Sequence, residues 1–342
     1  MAVTATLAGC GTTPTPAATT AGAPAANQGG PAASVTIYSG RSENLVAPLL
    51  AKIEAATGVK VTTRYGDSSA LAAQILDEGD RSPADLLFSQ DAGALGALAK
   101  AGRLTPLPEQ TTALVKPGYA DANRRWVATS ARARVVAYHP AQAPEAAQMT
   151  GIDAVLDPKY RGKVGYAPTN ASFHSFVTAL RVSRGEAAAT TWLTKFAANQ
   201  PKAYDKNGTV LKAVDSGEVS LGLINHYYWN ELAKEKGADN VTAKIRFLGS
   251  DDPGALVNVA GVGVLATSKQ SEAAGKVVTY LLGREAQQYF ADETAEYPAI
   301  AGVTSTKHQL APLEGQRTSS VDLNSLDSLQ DTLALLTKVG LT

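Results

Sequence analysis

Two adjacent tyrosines, Tyr227 and Tyr228, are the residues whose type and spacing point most directly to chemistry. They come after the apolar run 221–224 and directly follow Asn225 and His226. Adjacent side chains of a strand point to opposite faces, so two neighbouring phenols meet one ligand only where the chain bends. The apolar run gives way to a helical pattern here, which predicts that bend. The two phenols, an amide and an imidazole would then form a cluster of oxygen and nitrogen donors.

The tyrosine pair also has a plainer interpretation. One ring would belong to the core and the other would lie at the surface, because aromatic side chains mostly contribute buried area. The pair alone favours this second interpretation. The elements that position the two rings have to decide between them.

Bulk composition describes a globular protein that binds no nucleic acid. The chain has 342 residues, zero formal net charge, 44% hydrophobic and 18% charged residues. This length allows one large domain or two medium ones, and a nucleic-acid binder would carry a basic excess. We find no Ser-His-Asp order, phosphate-binding loop or Gly-x-Gly-x-x-Gly motif, so the sequence predicts no enzymatic activity.

The single cysteine, Cys10, lies in a Leu-Ala-Gly-Cys-Gly sequence that resembles a bacterial lipobox. We therefore expect residues 1–10 to be a partial lipoprotein signal and Cys10 to carry a lipid anchor. Only nine residues precede it, without Lys or Arg, so we expect translation to start further upstream. Residues 11–33 are small and uncharged, which predicts a flexible tether. The alternative is a chance cysteine in an Ala-rich leader.

Strands and helices alternate along the rest of the chain. Predicted strands at 35–38, 59–63 and 84–88 are separated by helices, and a second alternating set begins at 163–167. Further strands are predicted at 133–138, 202–204, 219–224, 245–248 and 257–266. This order is typical of parallel βαβ units, and it predicts two α/β lobes of similar size.

Ligands of open α/β sheets bind beyond the carboxyl ends of the strands. Most residues of the loops at that edge are Ser, Asn, Asp, Gln, Gly and Tyr, and each loop leads into a helix N-terminus, which favours anions. Two lobes that face each other across such loops form a cleft that closes by hinge motion. The loops in question are residues 39–43, 66–69, 89–91, 169–172, 205–208 and 225–228.

Several short motifs together resemble one family, the ferric-iron-binding proteins of bacterial ABC importers, also called bacterial transferrins. The resemblance covers about residues 34–342, and its most specific part is the adjacent-tyrosine segment. The motifs are Tyr-Ser-Gly-Arg (38–41), Glu-Gly-Asp (78–80), Pro-Ala-Asp (83–85), Arg-Ala-Arg-Val-Val (132–136), Leu-Ile-Asn-His-Tyr-Tyr-Trp (223–229), Leu-Ala-Lys-Glu-Lys-Gly (232–237), Asp-Pro-Gly-Ala-Leu (252–256) and Ala-Glu-Tyr-Pro (295–298).

The fold implied by the resemblance is α/β, a two-lobed periplasmic-binding-protein fold of type II, or Venus flytrap, with two crossover strands. We expect the N-terminal lobe to comprise residues 34–132 and 257–308. The C-terminal lobe would comprise residues 133–256 and 309–342.

The resemblance implies that Tyr227 and Tyr228 are ligands of Fe³⁺. A phenol has a pKa of about 10 in water, but a trivalent cation at bonding distance favours the phenolate. The family adds a synergistic anion, phosphate or carbonate, to the metal. Residues matching its anion-binding positions are Asn170, Ala171, Ser172, Asn207, Asn225 and Arg132.

The N-terminal lobe departs from the family pattern at two positions. Ser42 and Gln90 stand where some members place a His and a Glu on the metal. Glu43 and Asp91, each one residue further on, are possible substitutes, as is Gln90 itself, or the anion and water fill those positions. The alternative for the two carboxylates is that they complement helix N-termini. Other residues expected at the cleft are Ser39, Gly40, Arg41, Ser42 and His226, the last as a neighbour rather than a ligand.

These observations predict a lipid-tethered, monomeric solute-binding protein on the extracytoplasmic side of the membrane, at the cell surface or in the periplasm. It would capture ferric iron or a ferric chelate with an anion and deliver it to an ABC permease driven by its ATPase. The alternative is a protein of the same fold that binds an oxyanion, a polyamine or another small organic solute without metal.

Overall fold

The computed structural model describes residues 1–5, 33–249, 251–310, 313 and 321–342. Two units are distinguished, residues 1–32 and residues 33–342, and the second carries the fold. Cys10 and residues 11–32 of the predicted tether lie outside the described residues.

Ten strands in the described part of the chain form a mixed sheet. Their spatial order is β2-β1-β3-β9-β4-β7-β5-β6, and β8 and β10 both pair with β4. The strands are β1 (Ser34–Ser39), β2 (Lys60–Tyr65), β3 (Leu86–Ser89), β4 (Val127–Tyr138), β5 (Val164–Tyr166), β6 (Lys202–Ala203), β7 (Leu221–Asn225), β8 (Lys244–Arg246), β9 (Val257–Val264) and β10 (Tyr297–Pro298).

Helices connect these strands. In the described residues they are α1 (Glu43–Thr57), α2 (Ser68–Glu78), α3 (Ala92–Lys100), α4 (Glu109–Thr112), α5 (Ala171–Arg184), α6 (Glu186–Ala198), α7 (Asn207–Asp215), α8 (Tyr227–Lys236), α9 (Ser271–Leu281), α10 (Arg284–Glu293) and α11 (Leu329–Lys338). Parallel pairing of β1 with β2 and β3, and of β5 with β6 and β7, confirms the α/β prediction for both halves of the sheet.

Strand β4 passes from one half of the sheet to the other. It pairs with β9 up to Ala133 and with β7 from Arg134 onward. The Arg134 N–H donates to the carbonyl of Leu256, directly before β9, so both crossing segments meet at this point. The two-lobed architecture therefore has its connection beside Arg134.

The predicted start of this crossing strand at residue 133 was six residues too late. Residues 127–132 are Val-Ala-Thr-Ser-Ala-Arg, and all six are buried. Because both faces of this stretch are covered, small and polar side chains replace the apolar alternation from which a strand is normally predicted.

An aromatic cluster fixes the start of α5 in the second half of the molecule. The rings of Tyr166 and Phe173 lie 5.1 Å apart, and Trp192 stacks on Phe196 at 5.2 Å. These side chains are buried, so the first turn of α5 is held against β5 and α6. Three of the predicted anion-binding residues lie at this end of α5: Asn170 caps the helix, and Ala171 and Ser172 are its first two residues.

Candidate metal and anion site

Tyr227 and Tyr228 occupy the junction of β7 and α8. The strand ends at Asn225 and the helix begins at Tyr227, so the predicted bend is confirmed. The two rings stack with centroids 4.3 Å apart and an interplanar angle of 29°. Their relative exposures are 1% and 6%. The bend thus brings both phenols to the same side of the chain.

A cavity of about 810 Å³ lies between loops and helices of the two halves, and Tyr228 contributes to its wall. Tyr227 is buried and is not among the lining residues. The lining residues are 40–44, 65–67 and Gln90 from the first half, and Asn170, Asp205, Lys206, Gly208, Thr209, Leu211, Lys212, Tyr228, Glu231, Leu232 and Glu235 from the second.

Three buried guanidinium groups, those of Arg41, Arg132 and Arg134, interact electrostatically with the tyrosines. Their relative exposures are 2%, 1% and 4%. Arg132 and Arg134 are two residues apart on β4 and therefore point to the same face. Burial lowers the pKa of Arg134 to about 10, against an opposing influence of Tyr228 and Tyr227. Three buried positive charges therefore interact with the two phenols.

Arg132 has no hydrogen-bond partner for any of its three side-chain nitrogens in the described structure. Burial and the charge of Arg41 lower its pKa, while Tyr227, Glu296 and Asp91 act in the opposite direction. A buried guanidinium without hydrogen bonds is costly. Its five N–H groups suit an oxyanion that accepts them in pairs.

Two buried carboxylates, Glu296 and Asp91, belong to the same centre. Glu296 Oε2 lies 2.6 Å from Arg41 Nη2, and although burial would raise its pKa, Arg41 and Arg132 hold it below the usual value. Asp91 Oδ1 accepts the N–H of Ala94, which caps α3. Burial raises the pKa of Asp91, and its Oδ2 has no hydrogen-bond partner in the described structure.

Both phenols are held neutral in the absence of a cation. Burial raises the pKa of Tyr227 well above 10, with further contributions from Tyr228 and Glu296, while Arg132 and Arg41 act in the opposite direction. Burial also raises the pKa of Tyr228. Ionisation of this pair therefore requires additional positive charge at the site.

A cluster of amides and hydroxyls gathers most of the predicted anion-binding residues at the N-terminus of α5. Asn170 Oδ1 accepts from the backbone N–H of Ser172 at 3.0 Å and from Asn207 Nδ2 at 3.2 Å. Ser172 Oγ accepts from Asn225 Nδ2 at 2.9 Å and from Gln90 Nε2 at 3.1 Å. Ala171 is the first residue of α5 and is buried. The structure thus brings these residues together beside the tyrosine helix.

The predicted N-terminal-lobe residues fall into different environments. Glu43 is exposed in the first turn of α1 and lines the cavity, as does Ser42. Gln90 is buried, and its side chain is engaged with Ser172. Asp91 serves as the helix cap that was the alternative to ligation. Whether any of them binds metal stays a prediction.

The loop after β1 depends on a close approach at Gly40. A Cβ on this residue would lie 1.8 Å from Ser68 Oγ, so only glycine fits. Ser39 is buried, and its Oγ accepts the N–H of Arg41. This tight loop directs Arg41 inward, toward Glu296.

His226 is tied to the backbone rather than to the cavity. Its Nδ1 accepts the N–H of Ala133, and its Nε2 lies 2.9 Å from the carbonyl of Ala295. Burial lowers its pKa to about 4. Both ring nitrogens are therefore occupied, as expected for a neighbour of the site.

Two buried residues of this centre, Arg134 and Glu296, were not among the predicted site residues. Both lie in motifs of the family resemblance, 132–136 and 295–298. Two-residue alternation along β4 was a signal for Arg134, since it places Arg134 on the face of Arg132. No local pattern marks Glu296 as the partner of Arg41.

Conventional metal-ligand clusters are absent from the described part of the chain. No three His, Cys, Asp or Glu side chains among those residues come together in a way that could hold a metal ion. A metal here would therefore depend on the phenols. None of the described helices has the length and apolar character of a membrane span.

Comparison with known proteins places the chain in a family. Residues 81–328 match the family described as bacterial extracellular solute-binding protein. The chain is 36% identical over 311 residues to the major ferric iron-binding protein of Neisseria meningitidis serogroup B, covering 90% of this chain and 93% of that protein. It is 32% identical to the Fe(3+)-binding periplasmic protein of Serratia marcescens, covering 90% of each.

The fold is shared with a solved structure, iron-bound HitA from Pseudomonas aeruginosa. The TM-score is 0.84 at 35% identity, and the match covers 90% of this chain and 99% of HitA. This similarity confirms the two-lobed fold expected from the sequence. The chain belongs to the family of bacterial extracellular solute-binding proteins.

Proposed function

We propose that this protein captures Fe³⁺ in the cleft between its lobes, for import. The observation that carries the proposal is the stacked, buried pair Tyr227 and Tyr228 among three buried guanidiniums, with a cavity at Tyr228. Two relatives whose names specify ferric iron match 90% of this chain, which supports the same cargo.

Charge balance supports ionised phenols at this centre. With both phenols and both buried carboxylates ionised, the centre holds four negative charges against the three guanidiniums. Neutral phenols would leave a positive excess in a buried centre, which is unfavourable. Fe³⁺ favours anionic oxygen, and its charge offsets the effect of burial on the two phenol pKa values.

A synergistic anion follows from the same count. Adding Fe³⁺ to this set leaves a positive excess, and Arg132 offers nitrogens that no described residue uses. Asn170, Ala171, Ser172, Asn207 and Asn225 lie at the N-terminus of α5 or beside it, where an oxyanion is favoured. We propose that phosphate or carbonate binds there together with the metal. Fixing the anion on the protein would hold it against the metal rather than in solvent.

The candidate metal ligands from the N-terminal lobe are Glu43, Asp91 and Gln90; the alternative is that the anion and water fill those positions. Of these, Glu43 is the one on the cavity wall with a carboxylate.

The predicted lobe boundaries also stay a proposal, which the change of partner along β4 between Ala133 and Arg134 supports. The hydrogen bond between Thr178 of α5 and Thr332 of α11 supports the assignment of residues 309–342 to the C-terminal lobe.

Delivery to an ABC permease, with its ATPase, is the role that membership of this family suggests. We propose a position outside the cytoplasmic membrane, with a lipid on Cys10 as anchor and a monomeric body. Globomycin treatment of cells expressing the full-length gene, followed by mass analysis of the mature N-terminus, tests the anchor. An unmodified Cys10 in the mature protein would exclude it.

Metal loading tests the proposed function directly. The purified protein is incubated with ferric citrate and phosphate, freed of excess metal, and analysed for iron and for a visible tyrosinate-to-iron charge-transfer band. We expect one iron per chain and a band that Tyr227→Phe and Tyr228→Phe together abolish. Tyr280→Phe is the matched control, because it removes a hydroxyl that has no hydrogen-bond partner in the described structure and lies on α9. Unchanged iron content in the double variant would refute the proposal.

The metal-free alternative, an oxyanion or organic solute alone, is less well supported. The relatives are named for ferric iron, and a ligand without a cation gives no reason to bury two phenols beside Glu296. Binding of phosphate or a polyamine with unchanged affinity in the absence of metal would favour that alternative.

A further inference from the structure

Three hydrogen bonds join α1, α2 and the loop after β3, in the first half of the molecule, to helices of the second half. Ser69 Oγ lies 2.9 Å from His174 Nδ1, Gln90 Nε2 lies 3.1 Å from Ser172 Oγ, and Asn44 Nδ2 lies 2.8 Å from Glu231 Oε1. The second and third pairs involve residues of the cavity or of the predicted anion site. The contact of Ser69 with His174 has no role in the site described above.

The partners of His174 determine where its protons lie. Nε2 lies 2.7 Å from the carbonyl of Pro168, which only accepts, so Nε2 carries a hydrogen. In a neutral ring Nδ1 is then an acceptor, and the hydroxyl of Ser69 donates to it. Since Ser69 is in the first turn of α2 and His174 in the first turn of α5, this bond crosses between the lobes.

A charged His174 is unfavourable in this position. The side chain is 4% exposed, and its burial lowers the pKa, although the Pro168 carbonyl acts in the opposite direction. It also lies at the positive end of the α5 dipole, which disfavours a cation. Protonation would reverse the bond to Ser69 without removing these two costs.

Several charged side chains around α5 form ion pairs away from His174, whereas Asp67 lies at the N-terminus of α2 and Asp91 lies beside Ser175. Glu186 and Asp331 pair with Arg181, and Asp252 pairs with Arg184, toward the C-terminal end of α5. The charged residues on α5 and on the segments packed against it or against His174 are Asp67, Asp77, Glu78, Asp91, Lys100, Arg181, Arg184, Glu186, Lys195, Asp252, Asp322, Asp327, Asp331 and Lys338. Burial, rather than any of these charges, is the main cause of the lowered pKa.

We propose that His174 and Ser69 form a clasp between the lobes, which favours the closed cleft while His174 is neutral. His174 is thus a positioning residue, since it acts on the lobes and does not need to touch the ligand. The inference concerns closure and does not depend on which ligand fills the cleft. It assigns a function to a buried, titratable side chain that the proposed metal site does not use.

The direction of the pH dependence follows because we expect the His174 side chain to be buried in the closed form and exposed in the open form. In an open cleft His174 would return toward the ordinary pKa of about 6.5. Closure would then be unaffected above about pH 6.5 and would weaken below it, because the open form binds the proton. The equilibrium constant for closure would fall by up to about tenfold per pH unit until the closed form is protonated too.

Spin-label distances measure closure without reference to iron. Labels at Glu54 of α1 and Lys195 of α6, both exposed, report the distance between lobes by pulsed electron paramagnetic resonance, with Cys10→Ser to prevent labelling there. The full chain is measured from pH 5 to 8, free and with the diamagnetic probe Ga³⁺ plus phosphate. Variants are Ser69→Ala and His174→Gln. Ser183→Ala, on the same helix with its hydroxyl bonded to α5 itself, is the matched control.

The expected results differ between the variants. Ser69→Ala lowers the closed-to-open ratio about threefold to tenfold at pH 7.5, the loss of one hydrogen bond. In His174→Gln the closed population is the same above and below pH 6.5. In the wild type and in Ser183→Ala the closed population decreases as the pH is lowered below 6.5. If Ser69→Ala and His174→Gln both follow Ser183→Ala at every pH, the clasp is refuted. A single open distance in all samples, with or without Ga³⁺, refutes it as well.

The failure of the metal proposal has a different signature. Absence of the tyrosinate band with ferric citrate overturns the proposed cargo and leaves the distance measurement on the ligand-free protein unaffected. If Ser69→Ala reduces a minor closed population of the ligand-free protein, the clasp is confirmed, whichever ligand the protein carries.

Discussion

Arg41 Nη2 and Glu296 Oε2 lie 2.6 Å apart, and both side chains are essentially inaccessible to solvent. The loop after β1 supplies the cation, and the segment after α10 supplies the carboxylate. This ion pair lies in the same electrostatic centre as the stacked tyrosines, since Glu296 raises the pKa of Tyr227 and Arg41 lowers it. The pair therefore links the stability of the fold to the ionisation of the candidate ligands.

Glu296→Gln separates these two effects. We expect the free energy of unfolding to fall by about 3–5 kcal/mol, because one charge of a buried pair is left without its partner. The phenol of Tyr227 should ionise more readily, since the negative charge that raises its pKa has been removed. Urea denaturation and a spectrophotometric phenol titration measure the two effects.

Glu285→Gln is the control for that substitution. Glu285 pairs with Lys52 at 3.2 Å, and both side chains are more than half exposed. An exposed pair contributes about 0–1 kcal/mol. Equal losses of stability in the two variants would show that the Arg41–Glu296 pair is not specially stabilising.

Arg132→Met should have opposite effects on the metal-free and the loaded protein. Removal of a buried guanidinium that has no hydrogen bonds should leave the metal-free protein as stable or more stable. Binding of phosphate with the metal should weaken about tenfold to a hundredfold, as for the loss of a charge-assisted hydrogen bond of about 1.5–3 kcal/mol. Calorimetric titration of phosphate into metal-loaded protein checks this, with Arg124→Met, at an exposed pair, as control. Unchanged phosphate affinity would remove Arg132 from the anion site.

High pH should destabilise the metal-free protein through the tyrosines. Their pKa values are raised in the folded state, so the stability they contribute is complete below about pH 10, the unfolded value. It is lost as the pH rises from there toward the folded pKa values. Denaturation measured between pH 8 and 12 should show this decline in the wild type and a smaller one in the Tyr227→Phe, Tyr228→Phe double variant. Identical pH profiles would mean that the phenols are not held neutral by the fold.

Gly40→Ala tests the tight loop that directs Arg41 inward. Its Cβ would meet Ser68 Oγ at 1.8 Å and the Ser68 Cα at 2.8 Å, so the loop must shift. We expect a loss of about 1–3 kcal/mol in stability and weaker metal binding. Gly275→Ala on α9 is the matched control, because no atom lies within 4 Å of its Cβ. That variant should be more stable by about 0.5–1 kcal/mol. A neutral Gly40→Ala would contradict the close approach.

Local features of the sequence predicted the fold and the central tyrosines. Tyr227 and Tyr228 follow an apolar run and open a helix, so their placement at a bend depends only on neighbouring residues. The order of strands predicted that the loops carrying the amides and hydroxyls of the α5 N-terminus lie at the ligand-binding edge, and the family resemblance implied their role in anion binding. The same reasoning failed at residues 127–132, since a strand buried on both faces needs no alternation.

The charged centre depends on contacts that are distant along the chain. Arg41 and Glu296 are 255 residues apart, and the sequence near Glu296 carries no sign of its partner. Ser69 and His174 are 105 residues apart and meet only when the two halves of the molecule face each other. Such pairs are set by tertiary packing, so the residues that tune the site were harder to predict than those that form it.

Resonance Raman spectroscopy of the ferric-loaded protein tests the central claim, that Tyr227 and Tyr228 hold Fe³⁺, most directly. Excitation within the visible band should enhance tyrosinate ring vibrations in the wild type and in Tyr280→Phe. These modes should weaken when either Tyr227 or Tyr228 is replaced by Phe and disappear when both are replaced. A ferric-loaded wild type without enhanced tyrosinate modes, or a double variant that retains them, would contradict this account.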